Sequence, residues 1–102
     1  MQIIIDGKKF ESGKINRPKY SIYLKAKEKL TEKEEKGLSF NDDDLDLMVS
    51  TLVKLYDNQF TEDDINNNFE ISDILFEFMH CDVDTYGSFG KKVSDVQKKF
   101  LK

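Results

Sequence analysis

The feature that most constrains this fold is an apolar helical stripe that runs into a sharp corner near the middle of the chain. Apolar residues recur at helical spacing from Leu45 to Val53. The corner that follows consists of Tyr56, Asp57, Asn58, Gln59, Phe60 and Thr61. Thr61 is a good N-cap because its hydroxyl can accept a hydrogen bond from a free N–H group of the next turn. Phe60 and Ile65 have the spacing of a hydrophobic staple. We therefore expect two helices joined by a tight connection, with Phe60 buried and Thr61 capping.

The first sixteen residues have the pattern of a β-hairpin. Residues 3–5 are a β-branched run, Asp6-Gly7 is a strong hairpin-turn dipeptide, and Phe10 lies on the predicted return strand. A lone hairpin is only marginally stable in water. The hairpin must therefore pack against helices or pair with another chain.

The rest of the chain is predicted to be helical. Helical patterns cover residues 18–36, 41–56 and 61–68, and apolar spacings of three and four continue from Ile71 almost to the end. Gly87 and Gly90 each weaken a helix by about 1 kcal/mol relative to Ala. We therefore expect two helices or one kinked helix there, interrupted between Asp82 and Gly90. The predicted fold class is α+β, one domain over residues 1–102, with a hairpin at 1–16 and a body of about four helices at 17–102.

Charge is distributed unevenly along the chain. Residues 1–36 carry ten Lys or Arg against six acids, residues 37–89 carry one Lys against thirteen acids, and residues 90–102 carry five Lys against one Asp. These blocks can pair within the fold, between copies or with other proteins. The acidic middle argues against nucleic acid as the main partner. No apolar run approaches the ~20 residues of a membrane span, so we expect a soluble protein of the cytoplasm.

Catalytic and metal chemistry have little support in the sequence. The single histidine, His80, adjoins the single cysteine, Cys81. Neighbouring side chains on a helix point about 100° apart and do not face each other as a nucleophile and its base. One His and one Cys cannot form a zinc site within one chain. We expect no enzymatic activity, no cofactor and no metal.

Several aromatic residues lie off the main apolar stripes and are candidates for contact with a partner. The chain has eight Phe and no Trp, with 35% charged residues. Exposed aromatics on helical faces can receive an apolar helix of another protein. The alternative is that these rings complete the core. The candidate partner-binding residues are Phe69, Phe76 and Phe89.

The corner and the overall layout carry a family resemblance. The run from Leu55 to Ile65, with its Asn58-Gln59-Phe60-Thr61 core followed by acids, resembles a motif of the tail assembly chaperones of long-tailed phages and prophages of Gram-positive bacteria. The hairpin turn at Asp6-Gly7, the following basic segment with a proline and the later helices are also similar to that family.

The resemblance implies a non-catalytic tail assembly chaperone. Such proteins bind the tape-measure protein, help recruit tail-tube subunits and are not expected in the mature virion. It implies action in the host bacterial cytoplasm, with homo-oligomers possible and neither nucleic acid nor membrane as a partner. Two other classes stay open: a structural tail or head–tail connector protein, and a small acidic inhibitor that mimics DNA.

Overall fold

The computed structural model describes residues 1–37 and 39–100. Within these residues, two strands precede four helices: β1 Gln2–Ile5, β2 Lys8–Glu11, α1 Arg17–Glu35, α2 Asp42–Leu55, α3 Glu62–Asn68 and α4 Ile71–Phe100. The predicted fold class, a hairpin followed by a helical body, is confirmed.

The hairpin forms as its sequence predicts. Strands β1 and β2 pair in antiparallel register, with Ile3 opposite Phe10. Asp6 (φ +50°) and Gly7 (φ +78°) both occupy the left-handed region that a two-residue hairpin turn requires. Ile3 and Ile5 are buried. One face of the hairpin therefore joins the core, and Phe10 packs edge-on against Phe60 with 5.2 Å between ring centroids.

Helix α2 is the spine of the body, and it contacts α1, α3 and α4. Asn41 caps its start in a reciprocal capping box with Asp44. Lys33 of α1 reaches the Asp44 carboxylate at 2.6 Å, so the start of α2 is joined to α1. The buried apolar side chains of α2 are Met48, Val49, Leu52, Val53 and Leu55.

The predicted interruption between Asp82 and Gly90 is wrong, because α4 runs continuously for 30 residues from Ile71 to Phe100. Gly87 and Gly90 weaken a helix but, unlike proline, keep the N–H and C=O groups that continue its hydrogen bonds. Both lie in an exposed part of the helix, where no neighbouring element forces a bend.

Helix α4 gives the molecule its elongated shape. At 1.5 Å per residue, 30 residues extend for about 45 Å. The radius of gyration is 15.7 Å, against about 13 Å for a compact chain of this length. The excess reflects the part of α4 that extends beyond the body.

Candidate partner-binding surface

Three hydrogen bonds from α1 fix the orientation of α4. The Asp82 carboxylate accepts from the hydroxyl of Tyr23 at 2.8 Å, the hydroxyl of Tyr20 at 3.1 Å and the ammonium group of Lys27 at 2.5 Å. Burial on its own raises the pKa of Asp82, but these hydrogen bonds outweigh it and lower the pKa below its usual value. The carboxylate is therefore charged at neutral pH and ties α4 to α1.

With α4 attached in this way, one face of the helix packs into the core. Ile74, Phe78 and Cys81 are buried, and the Phe78 ring packs against Tyr23 with 5.0 Å between centroids. The terminal ammonium group of Met1 lies 3.3 Å from the Asp84 carboxylate. The body thus holds α4 as far as about residue 85, and the side chains described from Tyr86 to Lys98 are exposed.

Exposed apolar side chains follow a path that winds around α4, from the side facing away from the body at Phe76 to the side of the buried residues, beyond the end of the body, at Phe89 and Val96. Besides Ile71 at the helix start, the exposed large residues, here called the α4 stripe, are Phe76, Met79, Val83, Tyr86, Phe89, Val93 and Val96. Six of the seven are at least half exposed, and Val93 is 39% exposed. Isolated exposed apolar residues are common, but seven on one helix mark a candidate interaction surface.

A groove between α1 and α4 lies beside the stripe. It has a volume of about 250 Å³. Its walls are mainly apolar, with Lys27, Thr31 and Asp82 as polar members; the apolar lining residues are Tyr23, Leu30, Phe40, Met48, Leu75, Phe78, Met79 and Val83. Met79 and Val83 belong to both the groove and the stripe, so the two form one continuous surface.

The three aromatic residues predicted to bind a partner lie in different surroundings. Phe76 and Phe89 are 63% and 65% exposed and belong to the α4 stripe. Phe69 ends α3, is partly buried and packs against the core. The structure therefore groups Phe76 and Phe89 on one helix and places Phe69 apart from them.

The corner residues connect four elements. Asp57 and Asn58 turn the chain with φ of +57° and +58°, and Phe60 is only 5% exposed. Thr61 caps α3 in a capping box with Asp64, as predicted. The Gln59 amide donates to the Glu11 carbonyl at 2.7 Å, and the side chain of Asp57 pairs with Lys19 at 3.0 Å.

The corner therefore holds α2 and α3 against the hairpin and α1. Phe60 contributes through burial in the core, and it lies away from the α4 stripe.

His80 and Cys81 do not form a reactive pair. Cys81 is fully buried, and burial raises the pKa of its thiol to about 11, so the thiol is protonated at neutral pH. The His80 ring lies beside Phe76, with 5.6 Å between centroids. Residues 1–37 and 39–100 contain no cluster of metal-ligating side chains.

Periodicity alone did not separate the α4 stripe from the core. The sequence places Met79, Val83 and Tyr86 in the same helical pattern as Ile74 and Phe78, and the structure assigns the two sets to different faces. The sequence did contain one indication of an exposed apolar surface on α4. Its apolar positions cover more of the helix circumference than one contact with a core can bury.

Comparison with known proteins decides the family. A family model described as phage tail chaperone protein matches residues 1–101. The chain belongs to the phage tail chaperone family. The family predicted from the corner motif is thus confirmed, and the match includes the hairpin, the corner and all of α4. A search of curated proteins and a search of solved structures each returned no match.

Family membership narrows the kind of activity. It supports a role in tail assembly through interaction with tail proteins, and it indicates a chaperone rather than an enzyme. None of the helices described for this family member is long and apolar enough to cross a membrane. The candidate working surface is accordingly the α4 stripe with its adjoining groove.

Proposed function

We propose that this chain is a non-catalytic tail assembly chaperone that binds the tape-measure protein and helps recruit tail-tube subunits around it. The observation that carries the proposal is the exposed apolar α4 stripe on a chain of the phage tail chaperone family. It acts in the cytoplasm of the host bacterium, a Gram-positive species, and is absent from the mature virion.

The α4 stripe suits an amphipathic helix of the client. Apolar residues spaced three and four positions apart on a helix are typical of surfaces that pack against another helix. Phe76 and Phe89 are the aromatic anchors in this proposal, because large rings that become buried dominate binding energy. They point to different sides of α4, so a client helix that contacts both wraps around α4. Phe69 lies apart from the stripe, partly buried against the core, and its contact with a partner stays a prediction.

Acidic helix starts provide two polar patches, one at each end of α2. Asp42 and Asp43 begin α2, and Glu62 and Asp63 begin α3, all with exposed side chains. We assign to these patches the recruitment of tail-tube subunits through basic segments, since opposite charges steer and orient association. The same negative charge repels the phosphates of nucleic acid.

Client binding is tested by co-expressing the chain with the tape-measure protein of the same phage and measuring how much of the client stays soluble. Unchanged client solubility with the wild-type chain would contradict the proposal. The variants Phe76→Ser and Phe89→Ser should reduce the soluble client fraction severalfold. Ile4→Ser is the matched control, because Ile4 is equally exposed at 61% but lies on the hairpin.

A mass-spectrometric inventory of purified virions separates the chaperone from a structural connector. We expect peptides of the tail tube and tape-measure protein but none of this chain. Recovery of the chain in stoichiometric amounts would instead assign it to the connector class. A salt-sensitive complex with a DNA-directed enzyme would favour an acidic inhibitor.

A further inference from the structure

The hairpin ladder determines which backbone groups of β1 face outward. Opposite residues of an antiparallel pair alternate between hydrogen-bonded and non-bonded positions. The Ser12 N–H donates to the Met1 carbonyl at 3.0 Å, so these two residues form a bonded pair. In the register that follows, Gln2 and Ile4 occupy non-bonded positions, and their N–H and C=O groups point away from β2. Outside the ladder, no backbone hydrogen bond within the described residues uses Gln2 or Ile4.

The corresponding edge of β2 is protected. Lys8 and Lys9 place charge along this strand, and the side-chain amide of Gln59 covers the carbonyl of Glu11 at 2.7 Å. Natural proteins protect exposed strand edges with charges and covering groups of this kind. Strand β1, Gln2–Ile5, contains no charged residue. The open edge is therefore a feature of β1 in particular.

A groove of about 460 Å³ lies along this open edge. Strand β1 forms one wall, and Asp73, Glu77 and His80 of α4 form the other. Phe69, one of the residues predicted to bind a partner, also lines the groove. A free strand edge can bind an extended peptide through main-chain hydrogen bonds, while the neighbouring walls select its side chains.

The groove is acidic. Of the described residues that line it, Asp6, Asp73 and Glu77 carry carboxylates and none is Lys or Arg. None of these three carboxylates forms a salt bridge within the part of the chain that the structure describes. Burial raises the pKa of Glu77, and a cation beside this carboxylate would offset that effect. The charge of the walls therefore favours a basic occupant.

The carboxylates of α4 match the spacing of an extended chain. Asp73 and Glu77 are four residues apart, which is about 6 Å along the helix axis. Side chains on the same side of a strand are about 6.6 Å apart. The ammonium group of Met1 lies 3.3 Å from Asp84, and the rest of β1 shares the groove with residues 73–80. Strand and helix therefore run along the groove in opposite directions.

We propose that this groove binds an extended segment of another protein with Lys or Arg at alternate positions. The segment adds to the hairpin as a third strand, and its backbone bonds to the outward N–H and C=O groups of Gln2 and Ile4. Two of its cations meet Asp73 and Glu77. The groove shares no residue with the α4 stripe, so this site is separate from the helix-binding surface and its test needs no client.

Fluorescence anisotropy with a labelled hexapeptide of alternating lysine and valine tests binding to the full chain. We expect this peptide to bind on the order of tenfold tighter than a glutamate–valine hexapeptide, because the walls are acidic. A lysine–valine peptide N-methylated along its backbone should lose a similar factor, because it cannot donate main-chain hydrogen bonds. Glu77→Gln should weaken binding severalfold, whereas Asp46→Asn, at an exposed position of α2, should not.

Two substitutions of Ile4 separate its backbone from its side chain. Ile4→Pro removes the outward N–H but no ladder hydrogen bond, and edge strands tolerate proline at such positions. It should weaken peptide binding by on the order of tenfold, whereas Ile4→Ser keeps the N–H and should bind as the wild type does. Circular dichroism checks that both variants fold. If Ile4→Pro does not fold, the N-methylated peptide makes the same test on the wild-type chain.

Hydrogen exchange locates the bound peptide. The amides of Gln2 and Ile4 should gain protection when the lysine–valine peptide is added. Equal binding of the N-methylated peptide, or no added protection at these two amides, would overturn the proposal. Protection that rises with protein concentration in the absence of peptide would also overturn it, because the edge would then pair with a second copy of the chain.

Discussion

The hydroxyl of Tyr23 donates a 2.8 Å hydrogen bond to the carboxylate of Asp82, 59 positions away in the chain. Together with the bonds from Tyr20 and Lys27, it decides which face of α4 meets the core and which face is displayed to partners. The orientation of the exposed stripe is therefore set by a polar contact beside it on the same helix.

Replacing Asp82 by Asn should destabilise the protein. The amide lacks the charge that pairs with Lys27, and hydrogen bonds to charged groups contribute about 1.5–3 kcal/mol. We expect a loss of about 1–3 kcal/mol in the free energy of unfolding, measured by urea denaturation. Asp46→Asn, at an exposed position of α2, is the matched control and should change stability by less than about 0.5 kcal/mol.

The contribution of Asp82 should depend on pH in a defined direction. Its pKa is lowered in the folded protein, so the stabilisation is fully present above the unfolded value of about 3.9 and is lost as pH falls through the folded pKa. The difference between wild type and Asp82→Asn should be largest near pH 7 and should shrink below about pH 4. A difference that stays constant to pH 2 would contradict the assignment.

Truncating Phe60, which is buried, should cost far more stability than truncating Phe76, which is exposed. Phe60→Ala removes a ring that is 95% buried between Phe10 and Tyr56, and such changes cost about 3–5 kcal/mol. Phe76→Ala removes the same atoms from an exposed site and should cost less than about 1 kcal/mol. Thermal or urea unfolding of both variants measures the contrast, and equal losses would show that Phe60 is not a core residue.

Replacing Asn58 by glycine should cost less stability than replacing it by alanine. Its φ of +58° lies in the left-handed region, where a β-carbon costs roughly 1–2 kcal/mol and where glycine has no such penalty. Asn58→Ala should therefore lower stability by about 1 kcal/mol, and Asn58→Gly should leave it nearly unchanged. The order of the two melting temperatures is the test, and the reverse order would contradict the backbone argument.

The two helical glycines should both tolerate alanine. A Cβ built at Gly87 or Gly90 meets nothing within 4 Å, and alanine at either position favours the helix by about 1 kcal/mol. Both variants should therefore raise the helical content measured by circular dichroism. Gly7→Ala is the contrasting variant, because the positive φ of Gly7 (+78°) makes alanine strained there. A loss of helical content on Gly87→Ala or Gly90→Ala would contradict an open helical site at that position.

Local features of this fold follow directly from the sequence. The Asp6-Gly7 turn, the caps at Asn41 and Thr61 and the burial of Phe60 each depend on residues within a few positions of one another, where propensity and spacing act. The continuity of α4 did not follow, because local glycine propensity was outweighed by the cooperativity of a long helix.

The candidate surface was predictable only in part. The sequence identified Phe76 and Phe89 as surplus aromatics, but it also grouped Phe69 with them, and the structure packs that ring against the core. Which face of α4 is exposed depends on the contacts of Asp82 with Tyr20, Tyr23 and Lys27, 55 to 62 positions away. Periodicity within one helix contains no information about such distant partners.

Cys81 can report how often α4 separates from the body, without any introduced probe. The chain has one thiol, it is fully buried on the inner face of α4, and a pKa near 11 keeps it unreactive while covered. An alkylating reagent can reach the Cys81 thiol only when α4 separates from the body. The labelling rate therefore reports how often α4 opens. Following that rate as client is added would show whether capture loosens the helix or locks it in place.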